Sequence, residues 1–89
     1  MISKKVKIVN KAGLHTRPAS MIVKLAAKYK SDFFIYKDGM EINGKSIIGV
    51  MTLAAAQGSE LELTFDGPDE EAAAAEIVDF FNRGFDEEC

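Results

Sequence analysis

Gly13-Leu14-His15-Thr16-Arg17-Pro18-Ala19 holds the only histidine of the 89-residue chain, at a point where a helix should begin. Proline suits the first turn of a helix, because its missing N–H is unpaired there anyway and its fixed φ fits the turn. Ala19, Ile22, Val23 and Ala26 then follow at i, i+3, i+4, i+7 spacing, which predicts a helix over about 16–28. Working outward, Ile2, Val6 and Ile8 alternate with Lys5, Lys7 and Val9 as a first strand, and 10–13 is the loop between. Phe33-Phe34-Ile35-Tyr36 is rich in β-formers, and Lys37-Asp38-Gly39-Met40 carries the Asp-Gly signal of a hairpin returning through Glu41-Ile42-Asn43. A short helix is expected over 47–54 with Ser46 as its N-cap, closed off by Gly58. Leu61, Leu63 and Phe65 alternate with polar residues as a strand with one buried face. Gly67-Pro68-Asp69 breaks it and opens a last helix with an apolar stripe of Ala73, Ile77, Phe80 and Phe81, stopped at Gly84. The order βαββαβα indicates an α+β fold, an antiparallel sheet with helices on one face. The pattern alone also permits a ferredoxin-like domain with one added helix.

The size fits one domain, near the lower limit for an unaided hydrophobic core. A hydrophobic fraction of 47% and a charged fraction of 28% are ordinary for a soluble globular chain, and no apolar run reaches the roughly 20 residues of a membrane span. A net charge of −3 gives no reason to expect nucleic acid. The charges are unevenly placed, with Lys4, Lys5, Lys7, Lys11 and Arg17 early and Asp66, Asp69, Glu70, Glu71, Glu76, Asp79, Asp86, Glu87 and Glu88 late. Solvated surface is the better reading for most of them, although a basic region near His15 would steer an acidic partner. Cys89 is the single cysteine, so no internal disulfide forms and a reducing cytoplasm is expected. Met1-Ile2-Ser3-Lys4-Lys5 has no apolar core of a secretion signal.

A lone histidine near a helix start is most often solvated or a cap. Here Gly13 permits unusual backbone geometry just before it, Thr16 can hydrogen-bond locally, and Arg17 offers a planar donor fork suited to phosphate. The helix N-terminus carries about half a positive charge and presents free N–H groups, an anion cradle. A nucleophilic imidazole beside such a cradle suits accepting and passing on a phosphoryl group. A catalytic triad is disfavoured, because the sequence offers one histidine and its one cysteine, Cys89, has nothing to orient it, and the sequence shows no P-loop and no metal-ligand cluster.

The same stretch, Gly13 to Ala19, resembles the phosphorylation-site signature of the HPr family, the histidine-containing phosphocarriers of the bacterial phosphoenolpyruvate:sugar phosphotransferase system. Independently, Asn43-Gly44-Lys45-Ser46-Ile47-Ile48-Gly49-Val50-Met51-Thr52-Leu53 resembles the segment around that family's regulatory serine. The resemblance covers nearly the whole chain. It implies one HPr domain over 1–89, an open-faced β-sandwich with a four-stranded antiparallel sheet and three helices on one face. It implies that His15 carries the phosphoryl group on Nδ1, with Arg17 and the Thr16 and Arg17 N–H groups as stabilisers. The donor would be enzyme I, charged by phosphoenolpyruvate, and the acceptors IIA proteins or domains. The chain would then be a carrier and not an enzyme, working without cofactor or metal, and a monomer is expected.

By the same resemblance, Ser46 is a target of the HPr kinase/phosphatase. The residues matching Ile47, Ile48 and Met51 form an apolar docking surface, bordered by Ser20 and Lys24. Core packing is the plain alternative for Ile47 and Val50, as solvation is for Lys24. Ala12 departs from the Ser or Asn found in many members and leaves any phosphate contact there to the backbone. The ending from Phe81 onward is closer to the family's nitrogen-related branch, whereas Lys45 to Val50 is closer to mainstream HPr. Two functional classes therefore stand: a phosphocarrier, and a regulatory adaptor that binds partners according to its phosphorylation state. A small metabolite-binding domain is disfavoured, because no pocket-lining pattern is visible.

Overall fold

The computed structural model describes residues 1–87; Glu88 and Cys89, read above as a surface acid and an unoriented thiol, lie outside the described residues. The elements run β1 (Ile2–Lys7), α1 (Thr16–Ala27), β2 (Asp32–Lys37), β3 (Met40–Asn43), α2 (Ile47–Thr52), β4 (Glu60–Asp66) and α3 (Glu70–Asn82). The sheet order is β1-β4-β2-β3 and every neighbouring pair is antiparallel. A ferredoxin-like split βαβ arrangement needs strands joined by a crossover helix to run parallel. β1 and β2, joined by α1, are both antiparallel to β4, with Ile2 and Phe33 each opposite Phe65, so they meet that condition, and the order decides instead: β1 stands at the sheet edge and not in its interior.

Period-two alternation sends Val6, Phe33, Ile35, Leu61, Leu63 and Phe65 to one face of the sheet, where they are buried. The Phe33 and Phe65 rings stack there with centroids 4.9 Å apart. The helices close that face: Ala19, Ile22 and Ala26 point inward from α1, and Ala73, Ala74, Ile77, Phe80 and Phe81 from α3. The opposite face stays open, with Lys5, Tyr36, Glu41 and Glu60 exposed. The Asp-Gly pair turns the β2–β3 hairpin as expected, with φ of 49° at Asp38 and 83° at Gly39.

Strand ends shift by a residue or two, β1 closing at Lys7 before Ile8 and Val9, and two helix ends depart from the sequence expectation in ways that shape the site. α2 stops at Thr52, two residues early, because Ala54 takes a left-handed φ of 49°. That bend frees the Ala55 carbonyl to accept the Leu14 N–H at 2.8 Å, so the end of α2 is spent on holding the loop before α1. Gly84 does end α3, but the chain then makes a further single turn, Gly84–Asp86, with φ of 65°, 59° and 61° in succession. An aromatic residue such as Phe85 in the left-handed region costs about 1–2 kcal/mol. Its fully buried ring, edge-on to Phe80 and Phe81 at 5.3 and 5.0 Å, offsets that cost.

Candidate functional site

The loop from Asn10 to His15 is built to put one side chain in and the next one out. Asn10 is buried and its Nδ2 donates to the Gly13 carbonyl at 2.9 Å, while the Gly13 N–H returns to the Asn10 carbonyl at 3.2 Å. Gly13 has a φ of 74°, and a Cβ there would sit 2.7 Å from the Ala55 carbonyl oxygen, so only glycine fits. Leu14 then drops into the core. His15 faces outward with its side chain 42% exposed.

His15 is the N-cap of α1, in extended conformation, and its carbonyl accepts the Ala19 N–H at 3.0 Å. Its imidazole makes no capping bond, so the first N–H groups of the helix keep their donors for another acceptor. Pro18 has no N–H, which leaves Thr16 and Arg17 as the donors of the first turn. Both residues are exposed, and Arg17 adds a charged side chain to the same turn. The arrangement is a small, open, positively polarised cradle next to a nucleophilic ring.

One contact was not expected. Glu87, grouped above with the solvated acids of the tail, folds back across the loop. Its Oε2 and Oε1 lie 2.9 and 3.1 Å from His15 Nε2, and Oε1 also accepts from Asn10 Nδ2 at 2.8 Å. The Glu87 side chain is only 14% exposed. Burial pushes its carboxyl up, but hydrogen bonds from His15 and Asn10 and the charges of His15 and Arg17 outweigh burial and hold it below the usual carboxylate range. The solvated reading of Glu87 is therefore corrected, and the immediate surroundings of the imidazole are less basic than the distribution of lysines suggests. Other acids of that group are also engaged, among them Asp69 with Lys30 and Ser31, Glu76 with Lys28 and Tyr29, and Glu70 with the Gly67 N–H.

The family model for the PTS HPr component phosphorylation site matches residues 2–83. The chain belongs to the HPr family. It is 47% identical over 88 residues to phosphocarrier protein HPr of Treponema pallidum, covering 99% of this chain and 100% of that protein. Phosphocarrier protein NPr of Escherichia coli is 35% identical over 88 residues, covering 98% of each. A crystal structure of HPr from Thermoanaerobacter tengcongensis superposes with a TM-score of 0.95 at 40% identity over the whole of both chains. HPr proteins are phosphocarriers of the phosphotransferase system and not enzymes.

Elsewhere on this HPr domain, Ser46 caps α2, its Oγ accepting the Gly49 N–H at 3.2 Å. Ile47, Ile48 and Met51 are exposed by 38%, 74% and 43%, whereas Val50 is fully buried; the apolar patch and the core thus divide within one short helix. α2 packs against α1, which carries Ser20, half-buried, and Lys24, exposed. Lys24 also lines a groove between α1 and α3 with Met21, Phe80, Arg83 and Asp86. Among the described residues no helix is long and apolar enough to cross a membrane, and no cluster of His, Cys, Asp and Glu has the geometry to hold a metal.

Proposed function

We propose that this chain accepts a phosphoryl group on Nδ1 of His15 from phosphorylated enzyme I and passes it to IIA proteins in the cytoplasm. The observation that carries this reading is the imidazole standing at the donor-rich start of α1 without being consumed as a cap. In the transfer, the Nδ1 lone pair forms a bond to phosphorus as the donor's bond to it breaks. The Thr16 and Arg17 N–H groups and the Arg17 guanidinium then hold the phosphoryl oxygens by charge-assisted hydrogen bonds. These contacts are exposed and few, which suits a group meant to be handed on.

Docking of enzyme I and of the acceptors is assigned to Ile47, Ile48 and Met51 with Ser20 and Lys24, supported by the exposure of three large apolar side chains on one short helix. Methionine suits a surface that meets several partners, because its side chain is flexible and polarizable. Ser46, exposed at the start of that helix, is the proposed regulatory phosphorylation site, served by an HPr kinase/phosphatase. The working form proposed is a monomer, in which Glu87 closes on the histidine of its own chain; a solved Crh of Bacillus subtilis, a relative, is a swapped dimer.

A second reading, a regulatory adaptor of the nitrogen-related branch, is favoured by the match to NPr over nearly the whole chain. Incubation with enzyme I and labelled phosphoenolpyruvate tests the carrier. Acid-labile label is expected on the parent and absent from a folded His15→Ala variant. Label retained by that variant, or none on the parent, overturns the reading; efficient onward transfer to a IIA protein separates carrier from adaptor.

A further inference from the structure

The mechanism above leaves one contact of the imidazole unused. The Glu87 carboxylate meets His15 Nε2 with both oxygens and is braced from behind by the buried Asn10 amide. The backbone brings it there through three successive left-handed residues, with Phe85 locked into the core as the anchor. An ionised carboxylate only accepts hydrogen bonds. In the neutral imidazole, the nitrogen facing Glu87 therefore bears the proton, and the other keeps its lone pair.

We propose that Glu87 is the positioning residue of the phosphoryl-transfer site, fixing His15 as the Nε2–H tautomer so that Nδ1 stands unprotonated beside the cradle formed by the start of α1. The inference rests on the phosphocarrier reading and adds the atom-level reason for attack through Nδ1. As the P–N bond forms and the donor's bond to phosphorus breaks, the electron pair of the broken bond leaves with the donor. The imidazole becomes cationic with its proton still on Nε2, against the Glu87 carboxylate. On onward transfer the P–N pair returns to Nδ1 and the ring is neutral again. No proton has to move in either direction, and no second acid or base is required. Among the described residues no other titrating group is hydrogen-bonded to the ring, and this contact alone serves both steps.

The test is 15N NMR of the His15 ring at about pH 8, where ordinary imidazole is neutral, together with single-turnover phosphorylation by phospho-enzyme I. In the parent, Nε2 is expected to carry the proton and Nδ1 to give the signal of an unprotonated nitrogen. Glu87→Ala is expected to mix the tautomers and to slow transfer at least about tenfold with an unchanged KM for enzyme I, as loss of an orienting partner does for ligating histidines. Glu87→Gln keeps an acceptor oxygen and is expected to hold the tautomer that Glu87→Ala loses. A parent ring protonated on Nδ1 overturns the proposal, and so does parental transfer rate in Glu87→Ala. If parent and variants alike take no label, the phosphocarrier reading fails, while the ring spectra still decide what Glu87 does.

Discussion

Arg17 stands second in α1, two positions beyond the proposed acceptor imidazole, and its side chain is exposed rather than committed to the core. Its charge also reaches the Glu87 carboxylate behind the ring, and the proposed transfer sets it against the incoming phosphoryl group as well. Lysine in its place keeps the charge and loses the planar two-donor fork. Arg17→Lys is therefore expected to slow phosphorylation and dephosphorylation of His15 by roughly the tenfold that 1.4 kcal/mol represents, without stopping either. Unchanged stopped-flow rates in both directions would make Arg17 a bystander. The legibility of the site divides at this scale. His15, Thr16, Arg17 and Pro18 are neighbours in sequence, and helix-start chemistry is local, so their arrangement could be read from the residues. Glu87 could not, because its contact joins positions 15 and 87 through a turn whose left-handed Phe85 and Asp86 carry no glycine to mark it. The buried amide of Asn10 was hidden for the same reason: an asparagine in a loop looks the same whether it caps, turns or braces.

At the start of α2, one serine has a capping duty and a proposed regulatory one, which substitution can separate. As a cap, Ser46 satisfies the Gly49 N–H, and its loss costs about 0.5–2 kcal/mol. As the proposed charge site, it adjoins Ile47, Ile48 and Met51, so a dianion there would place repulsion and desolvation cost on the surface proposed to seat an acidic partner. Aspartate keeps an acceptor oxygen and adds the charge. Ser46→Asp is expected to retain a native circular dichroism spectrum while slowing phosphorylation of His15 by enzyme I several-fold; Ser46→Ala should lose stability and keep the rate. An unfolded Ser46→Asp protein, or one phosphorylated at the parental rate, counts against the mechanism. The elements themselves were legible because their signals were of the local kind: period two in β1 and β4, Asp-Gly between β2 and β3, serine before α2. Their pairing was not, since β1 beside β4 rather than beside its sequence neighbours depends on contacts between distant segments; the family resemblance supplied an antiparallel sheet but not its order.

Across the whole molecule, Asp69 ties the α1–β2 connection to the start of α3. Its carboxylate accepts the Lys30 N–H at 2.8 Å, the Ser31 N–H at 2.9 Å and the Ser31 hydroxyl at 2.5 Å. Led by the Ser31 hydroxyl and the Lys30 N–H, these bonds lower its pKa from an ordinary 3.8 to about 2. A carboxyl whose folded pKa lies below its unfolded one adds stability that is fully present above the unfolded value. That stability is lost as the pH falls from about 3.8 to about 2. Urea unfolding of the parent should weaken across that interval, and Asp69→Asn should be less stable at neutral pH with a shallower acid limb. Identical slopes for the two proteins would remove Asp69 from the account. The sheet order has a further consequence, for synthesis on the ribosome. Ile2 pairs with Phe65 and Val6 with Leu61, so the first strand waits for its only partner until most of the chain has been made. At about 5–20 residues per second that wait lasts several seconds. During it β1 is a bare edge, a template for pairing with any other nascent chain. Lys4, Lys5 and Lys7 along that edge make such pairing between copies electrostatically unfavourable. Replacing them with apolar residues would lower the yield of soluble protein even where the finished fold tolerates the change.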